Sequence, residues 1–286
     1  MKDVMEHPSH PRVHGSGPWP FITFRTYDLI GRHIVWRDRQ HRKGLVRTAR
    51  ALEAVRVPFW QTQSYNWYVG LIFAIGSALF MLGSALSVLP DGGGVSALAI
   101  NAIFFAGSIP FTTAGYLQHF QAANASEFAT DPASHAPHGR IKLIGWRPHN
   151  PGWLSTLSQF IGTVAFNFNT FDAIDAPVSP DMQNLVIWLP GVIGSILFLV
   201  SAYLAFIEAG HGYWSWKPRD LDWQIVSINL LGCVAFMVAS TIAYIPQGPE
   251  PGWIAVAANA QLFIGALCFL IGAVLSMRES RLAAGS

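Results

Sequence analysis

Residues 66–84 read "NWYVGLIFAIGSALFMLGS". The run has no charged side chain, and about 20 such residues, at roughly 1.5 Å of rise each, cross a bilayer as a helix. At its centre stands "GSALF" (76–80), a glycine, a small neighbour and a phenylalanine four places after the glycine. The same Gly-x-x-x-Phe frame returns as "GSIPF" at 107, "GTVAF" at 162, "GSILF" at 194, "GCVAF" at 232 and "GALCF" at 265. Each glycine falls near the middle of an apolar stretch, so a helical reading puts all six at one depth.

Composition agrees with a membrane chain. Of 286 residues, 51% are hydrophobic and 12% charged, with a mean hydropathy of +0.34; soluble domains carry about 25% charged residues. Six spans are predicted, near 66–89, 95–118, 153–174, 184–207, 223–246 and 253–277. The first comes after about 65 mostly polar residues, which predicts no cleaved signal peptide. The two cysteines, Cys233 and Cys268, both fall inside predicted spans and read as small packing groups, not as a disulfide or redox pair.

Lysine and arginine set the expected orientation. Eleven of the eighteen precede the first span, and the rest are Arg140, Lys142, Arg147, Lys217, Arg219, Arg278 and Arg281. The three remaining loops contain none and carry Asp91, then Asp172, Asp175 and Asp181, then Glu250. The positive-inside rule then predicts that both termini are cytoplasmic.

The six motifs form two series. Glycines of the odd spans, Gly76, Gly162 and Gly232, are 86 and 70 residues apart; those of the even spans, Gly107, Gly194 and Gly265, are 87 and 71 apart. Matching steps predict that whole hairpins recur. Trp67, Trp153 and Trp223 each precede the odd-span glycine by nine, and Gln121, Glu208 and Glu279 each follow the even-span phenylalanine by ten. The expected fold is all-α and integral to the membrane, six transmembrane helices as three repeated helical hairpins. Its parts are a basic cytoplasmic arm (1–65), hairpins at 66–121, 153–208 and 223–279, cytoplasmic loops at 122–152 and 209–222, and a tail at 280–286. Because lipid tails are as apolar as leucine, helices in a bilayer associate where small residues let backbones approach. The six glycines are therefore predicted as midplane packing sites, each phenylalanine filling space beside a partner's glycine.

The stretches 66–84 and "FFAGSIPFTTAGYLQHFQ" (104–121), with their later counterparts, resemble the YrhK-like family of two-helix membrane domains. The resemblance covers 66–279 and implies tandem hairpins of the kind strung together in bacterial, especially actinobacterial, membrane proteins; it implies no reaction, substrate or catalytic residue. Three two-helix repeats also suggest mitochondrial carriers, but the odd-span ends "SVLPDGGG", "FDAIDAP" and "AYIPQGPE" lack the basic residue of that family's signature.

Polar groups at depth are few. Glu208 and His119 read as lying at cytoplasmic helix ends within reach of water. Asn101, Asn167, Asn169 and Asn259 lie roughly 8–10 Å outward of their glycines, with Asp172 a turn beyond Asn169. They are the candidate lining of an outward-facing polar pocket, against the simpler reading of interhelical hydrogen bonds. Asn229 lies on the other side of the midplane, outside that group. The histidines, including His7, His10, His14, His135 and His138, are on the cytoplasmic side in Pro/Gly-rich segments and read as solvated, with no metal or other cofactor expected. In the arm, 44–57 predicts a short amphipathic helix ending at Pro58, and its basic residues suit anionic headgroups, not nucleic acid. Three functions stay open: a non-enzymatic membrane protein packing against lipid or a membrane-protein partner, which the scarcity of buried charge and catalytic groups fits best; a facilitative permease or small-solute binder; and an integral-membrane enzyme.

Overall fold

The computed structural model describes residues 13–29, 32–45, 57–125, 128, 140–247 and 251–285. Six long helices dominate: α2 (Gln63–Val88), α3 (Ala97–Ala123), α4 (Pro151–Asp172), α5 (Pro180–Gly210), α6 (Leu221–Ile242) and α7 (Gly252–Gly285). Five of them are long and apolar enough to cross a membrane; α4 is not among these five. Local chemistry sets several starts. The side chains of Thr62, Ser96, Asn150 and Asp220 accept hydrogen bonds from the first-turn N–H groups of α2, α3, α4 and α6. Between α2 and α3, Asp91 to Gly94 all take positive φ, which the "DGGG" sequence tolerates and few others would.

Consecutive helices pack antiparallel, and α7 packs back on α2, so the six close into a ring. Phenylalanine fills the axis. Phe80, Phe166 and Phe236 form one layer, with Phe80 and Phe166 at 6.0 and 5.8 Å from Phe236 between ring centroids. Phe111, Phe198 and Phe269 form the next, with Phe269 at 5.9 and 6.2 Å from the other two. The layers touch within each antiparallel pair at 5.4, 5.0 and 5.0 Å. All six rings are buried. The glycines make this possible. A Cβ at Gly162 would meet Phe198 at 2.7 Å and the Gly194 carbonyl at 3.1 Å; one at Gly194 would meet Phe166 at 2.8 Å and the Gly162 carbonyl at 3.1 Å. Gly76 with Gly107, and Gly232 with Gly265, do the same with their partners' rings.

The N-terminal segment is more than the basic arm expected from its charge. Strands β1 (Val13–Ser16), β2 (Phe24–Leu29) and β3 (Arg32–Arg37) form an antiparallel sheet in the order β1-β2-β3, so the fold is not purely α. Tyr27 faces Ile34 and Arg25 faces Trp36, and Phe128 sits against Tyr27 and Trp36 at 5.4 and 5.2 Å. The short helix α1 (Asp38–Lys43) follows, stopped by Gly44 at φ 73°. Most of the predicted amphipathic helix at 44–57 lies outside the described residues, as do His7, His10, His135 and His138.

Candidate functional site

Helix α1 places three cations, Arg39, Arg42 and Lys43, over the end of the ring from which α2, α4 and α6 start, and three carboxylates receive them. Arg42 grips Glu208 of α5 with both terminal nitrogens, at 2.5 and 2.9 Å. Arg39 donates to Asp222 of α6 at 2.6 Å and to Glu279 of α7 at 3.2 Å, Gln40 adds a bond to Asp222 at 2.9 Å, and Lys43 reaches Glu279 at 2.5 Å. Glu208 is 1% exposed and His119 fully buried, which corrects the expectation that both sit in water at helix ends. Arg42 of the folded N-terminal segment covers Glu208, while His119 is enclosed by α4, bonding Thr156 at 3.2 Å and packing against Trp153 at 5.6 Å between ring centroids. The three positions ten residues after the even-span phenylalanines all serve this junction: Glu208 and Glu279 hold α1, while Gln121 donates to the Trp60 carbonyl at 2.5 Å and to Asn66 Oδ1 at 3.0 Å. Asn66 in turn donates to the Lys43 carbonyl at 2.8 Å. Gly152 leaves room for the Arg42 guanidinium, which a Cβ there would overlap.

Electrostatics follow from burial and pairing. Burial alone would lower the Arg39 pKa, but Asp222 and Glu279 beside it hold it above its ordinary value. Burial, with the charge of Arg39, pushes the Lys43 ammonium down. Burial pushes the Asp38 carboxyl up against the opposing pull of Arg25, which donates to it at 2.9 Å. His211, bonded to Thr23 Oγ1 at 3.0 Å, is pushed down, first by burial and then by Lys217 and Arg37.

Under α1 lies a cavity of about 130 Å³. Arg39, Arg42 and Lys43 line its roof, and Phe111, Phe198 and Phe269 its floor. Its walls carry Gln118 of α3, Gln159 of α4, Asn229 of α6 and Ser276 of α7. None of these four side chains has a hydrogen-bond partner among the described residues. Other polar wall groups are bonded; Ser155 donates to the Ser201 carbonyl at 2.9 Å, and Thr156 to that of Gly152 at 3.0 Å. Cys233, itself buried, also lines the cavity.

The outer asparagines are not brought together. Asn101 donates to the Ala173 carbonyl at 2.7 Å, at the joint between α3 and the end of α4. Asn169 donates to Ile187 at 2.7 Å, between α4 and α5. Asn259 bonds Ala255 in its own helix at 2.9 Å and is turned outward. Asn167 has its oxygen buried without a partner, and Asp172 is half-buried. The polar chamber lies on the other side of the phenylalanine layers and includes none of them, which corrects the outward pocket. Depth along a helix follows from residue count, but the direction of a side chain follows from how the helices are rotated against each other.

Two signals in the sequence mark what was missed. Gln159 and Asn229 each stand three residues before an odd-span glycine, and Gln118 and Ser276 each seven after an even-span phenylalanine. A second signal is Trp-x6-Trp, at Trp60/Trp67, Trp146/Trp153 and Trp216/Trp223. In the last two, the outer indole packs edge-on against the inner one at 5.7 and 5.2 Å. Among the described residues no three His, Cys, Asp or Glu side chains are grouped to hold a metal. No family model matches the chain, and neither a curated protein nor a solved structure matches it.

Proposed function

We propose that the chain is a six-span protein of the bacterial inner membrane, built from three YrhK-like hairpins, that acts without catalysis as a binder of small solutes. Its chamber faces the cytoplasm and is roofed by its own N-terminal domain. Helix α4 supports the sixth span: Ser155, Thr156, Thr163 and Thr170 are buried, while Ile161, Phe168 and Phe171 face outward from the ring. Its low apolarity therefore belongs to its inner face. Reciprocal glycine–phenylalanine contacts in all three helix pairs favour a repeated unit. The described lysines and arginines lie at the roofed end of the ring, which supports cytoplasmic termini. Trp146, Trp214 and Trp216, each more than 70% exposed at that end, suit a headgroup layer, where indole rings concentrate. Exposed Arg140, Lys142 and Arg219 beside them suit anionic lipid, at about 1 kcal/mol per charge.

The observation that carries the solute-binding reading is the set of four unpartnered polar side chains around one cavity. Interior polar groups are ordinarily paired, and a concave site with a few convergent polar groups is the usual form of a ligand pocket. Cys233 provides the test. In a Cys268→Ser protein held in lipid nanodiscs, iodoacetamide should alkylate Cys233 while the protein stays folded. Labelling that begins only on denaturation would remove the chamber as a solute site.

A further inference from the structure

Charge and hydrogen-bonding capacity in the chamber point to one class of occupant. The roof presents three cations, but each contacts a carboxylate: Arg42 with Glu208, Arg39 with Asp222 and Glu279, Lys43 with Glu279. Three positive and three negative groups leave the roof with no net formal charge. An ion entering the chamber would lose hydration against a site holding no uncompensated counter-charge, which is costly in a low-dielectric interior.

The unpartnered groups ask for something else. Gln118, Gln159 and Asn229 are carboxamides, each with two N–H donors and an accepting oxygen, and Ser276 adds a hydroxyl that does both. Phe111, Phe198 and Phe269 below them provide an apolar seat for carbon. In size, the cavity of about 130 Å³ is slightly smaller than an engineered cavity of about 150 Å³ that takes benzene, a molecule of six carbons.

Resting on the solute-binding reading above, we infer that the chamber selects small uncharged solutes, of up to about six non-hydrogen atoms, that both donate and accept hydrogen bonds, and that it rejects ions of the same size. Amides and short polyols are the chemical class. Asn229 is the central recognition group: it stands over Gly272, whose missing side chain leaves it space, since a Cβ there would lie 2.3 Å from Asn229 Oδ1.

Iodoacetamide and iodoacetate test this directly, because they differ only in carboxamide against carboxylate. Each transfers its carbon to the Cys233 sulfur as iodide leaves and the thiol proton passes to water. In Cys268→Ser protein, the ratio of amide to acid labelling should exceed that of the denatured chain by about tenfold, equivalent to 1.4 kcal/mol. Glycerol and urea should slow amide labelling, and sodium acetate should not. Asn229→Leu, or Gln159→Leu as a second variant, should bring the ratio back toward that of the denatured chain. A folded protein in which iodoacetate labels as fast as iodoacetamide, or in which acetate protects as well as urea, overturns the neutral-solute inference and leaves the chamber standing. Protection that survives both leucine variants also overturns it. Failure of both reagents to reach Cys233 before unfolding strikes the chamber itself.

Discussion

The two halves of the bundle contain the same side chain and use it in opposite ways. Beyond the phenylalanine layers, Asn101 and Asn169 each take up a backbone carbonyl at a helix joint, and Asn184 pairs with both the N–H and the carbonyl of Ile245, at 3.0 and 2.8 Å. On the roofed side, Asn229 and Gln159 leave their amides free beside a cavity. An amide within a membrane bundle therefore does not announce a site. What distinguishes Asn229 and Gln159 from Asn101, Asn169 and Asn184 is that they lack a partner among the described residues and face a cavity. The roofed end also has bonded amides in Asn66 and Gln121, and the outer half has an unpaired oxygen on Asn167. The outer half closes on itself through hydrogen bonds between helix ends. The inner half encloses a cavity beneath a separate element, α1, whose three cations are each paired with a carboxylate.

The largest expected effect tests that pairing. Glu208 has a side-chain exposure of 0% and Arg42 of 11%, so Arg42→Ala would leave a buried carboxylate without its cation. Breaking such a pair costs about 3–5 kcal/mol, whereas replacing both partners with apolar residues is close to neutral. Thermal unfolding should show Arg42→Ala severely destabilised and Arg42→Met with Glu208→Leu near wild type. Equal losses in the two proteins would mean that volume, not charge pairing, holds α1.

Next comes the boundary between the halves. Gly265→Leu would drive a side chain into Phe236, which an added Cβ already meets at 2.3 Å, and toward the Gly232 carbonyl at 2.9 Å. Overpacking of this kind typically costs about 1–3 kcal/mol. Val274→Leu, on an outward face 53% exposed, should cost almost nothing. Matching melting temperatures for the two would separate the glycine motif from close packing.

The asparagines sharpen the comparison at smaller scale. Asn101→Leu removes a donor from the Ala173 carbonyl and should cost about 1 kcal/mol. Asn229→Leu removes no hydrogen bond among the described residues and should change stability by less than about 0.5 kcal/mol. If Asn229→Leu is the more damaging of the two in a melting experiment, Asn229 is a structural amide and the two halves are alike.

How much of this could be read from the residues depends on which geometric quantity each feature needed. The glycine–phenylalanine frame was legible because both residues sit one turn apart on one helix, and antiparallel pairing brings Gly162 onto Phe198 and Gly194 onto Phe166 at matched depth. The pocket was misplaced because Asn101 and Asn169 share a depth without sharing a direction. Glu208 looked solvated because its partner, Arg42, is 166 residues away in sequence, and long-range contact leaves no periodic trace. The sheet was hidden for a related reason: "FRTYDL" and "RHIVWR" alternate over only six residues each, inside a segment whose charge dominates its reading. Gln159 and Asn229 were within reach, since both stand three residues before their glycines; an offset common to two hairpins and occupied by Phe73 in the first is the signature of a lining position.

The smallest expected effect concerns how firmly the N-terminal domain stays docked as pH changes. His211 follows α5 with φ 58°, and its Nδ1 meets Thr23 Oγ1 at 3.0 Å while its ring lies 5.4 Å from that of Phe24. Burial favours the neutral imidazole, Lys217 and Arg37 reinforce that preference, and Glu208 and Asp222 oppose it, with a net lowering below the ordinary value of 6.5. The undocked or unfolded chain then binds more protons than the docked one wherever pH lies between the depressed pKa and the ordinary one. Docking is therefore complete above the ordinary value and weakens as pH falls through it, levelling off below the depressed pKa. One proton sets an upper limit of about 1.4 kcal/mol per pH unit on the slope. His211→Asn should remove this component, since asparagine accepts the left-handed backbone and keeps a polar partner for Thr23. The difference between the melting curves of wild type and His211→Asn, followed from neutral pH downward, isolates His211 from the other nine histidines. A difference that stays constant across that range would show that His211 titrates alike in both states, and that Thr23 and the ion-paired roof alone hold the N-terminal domain in place.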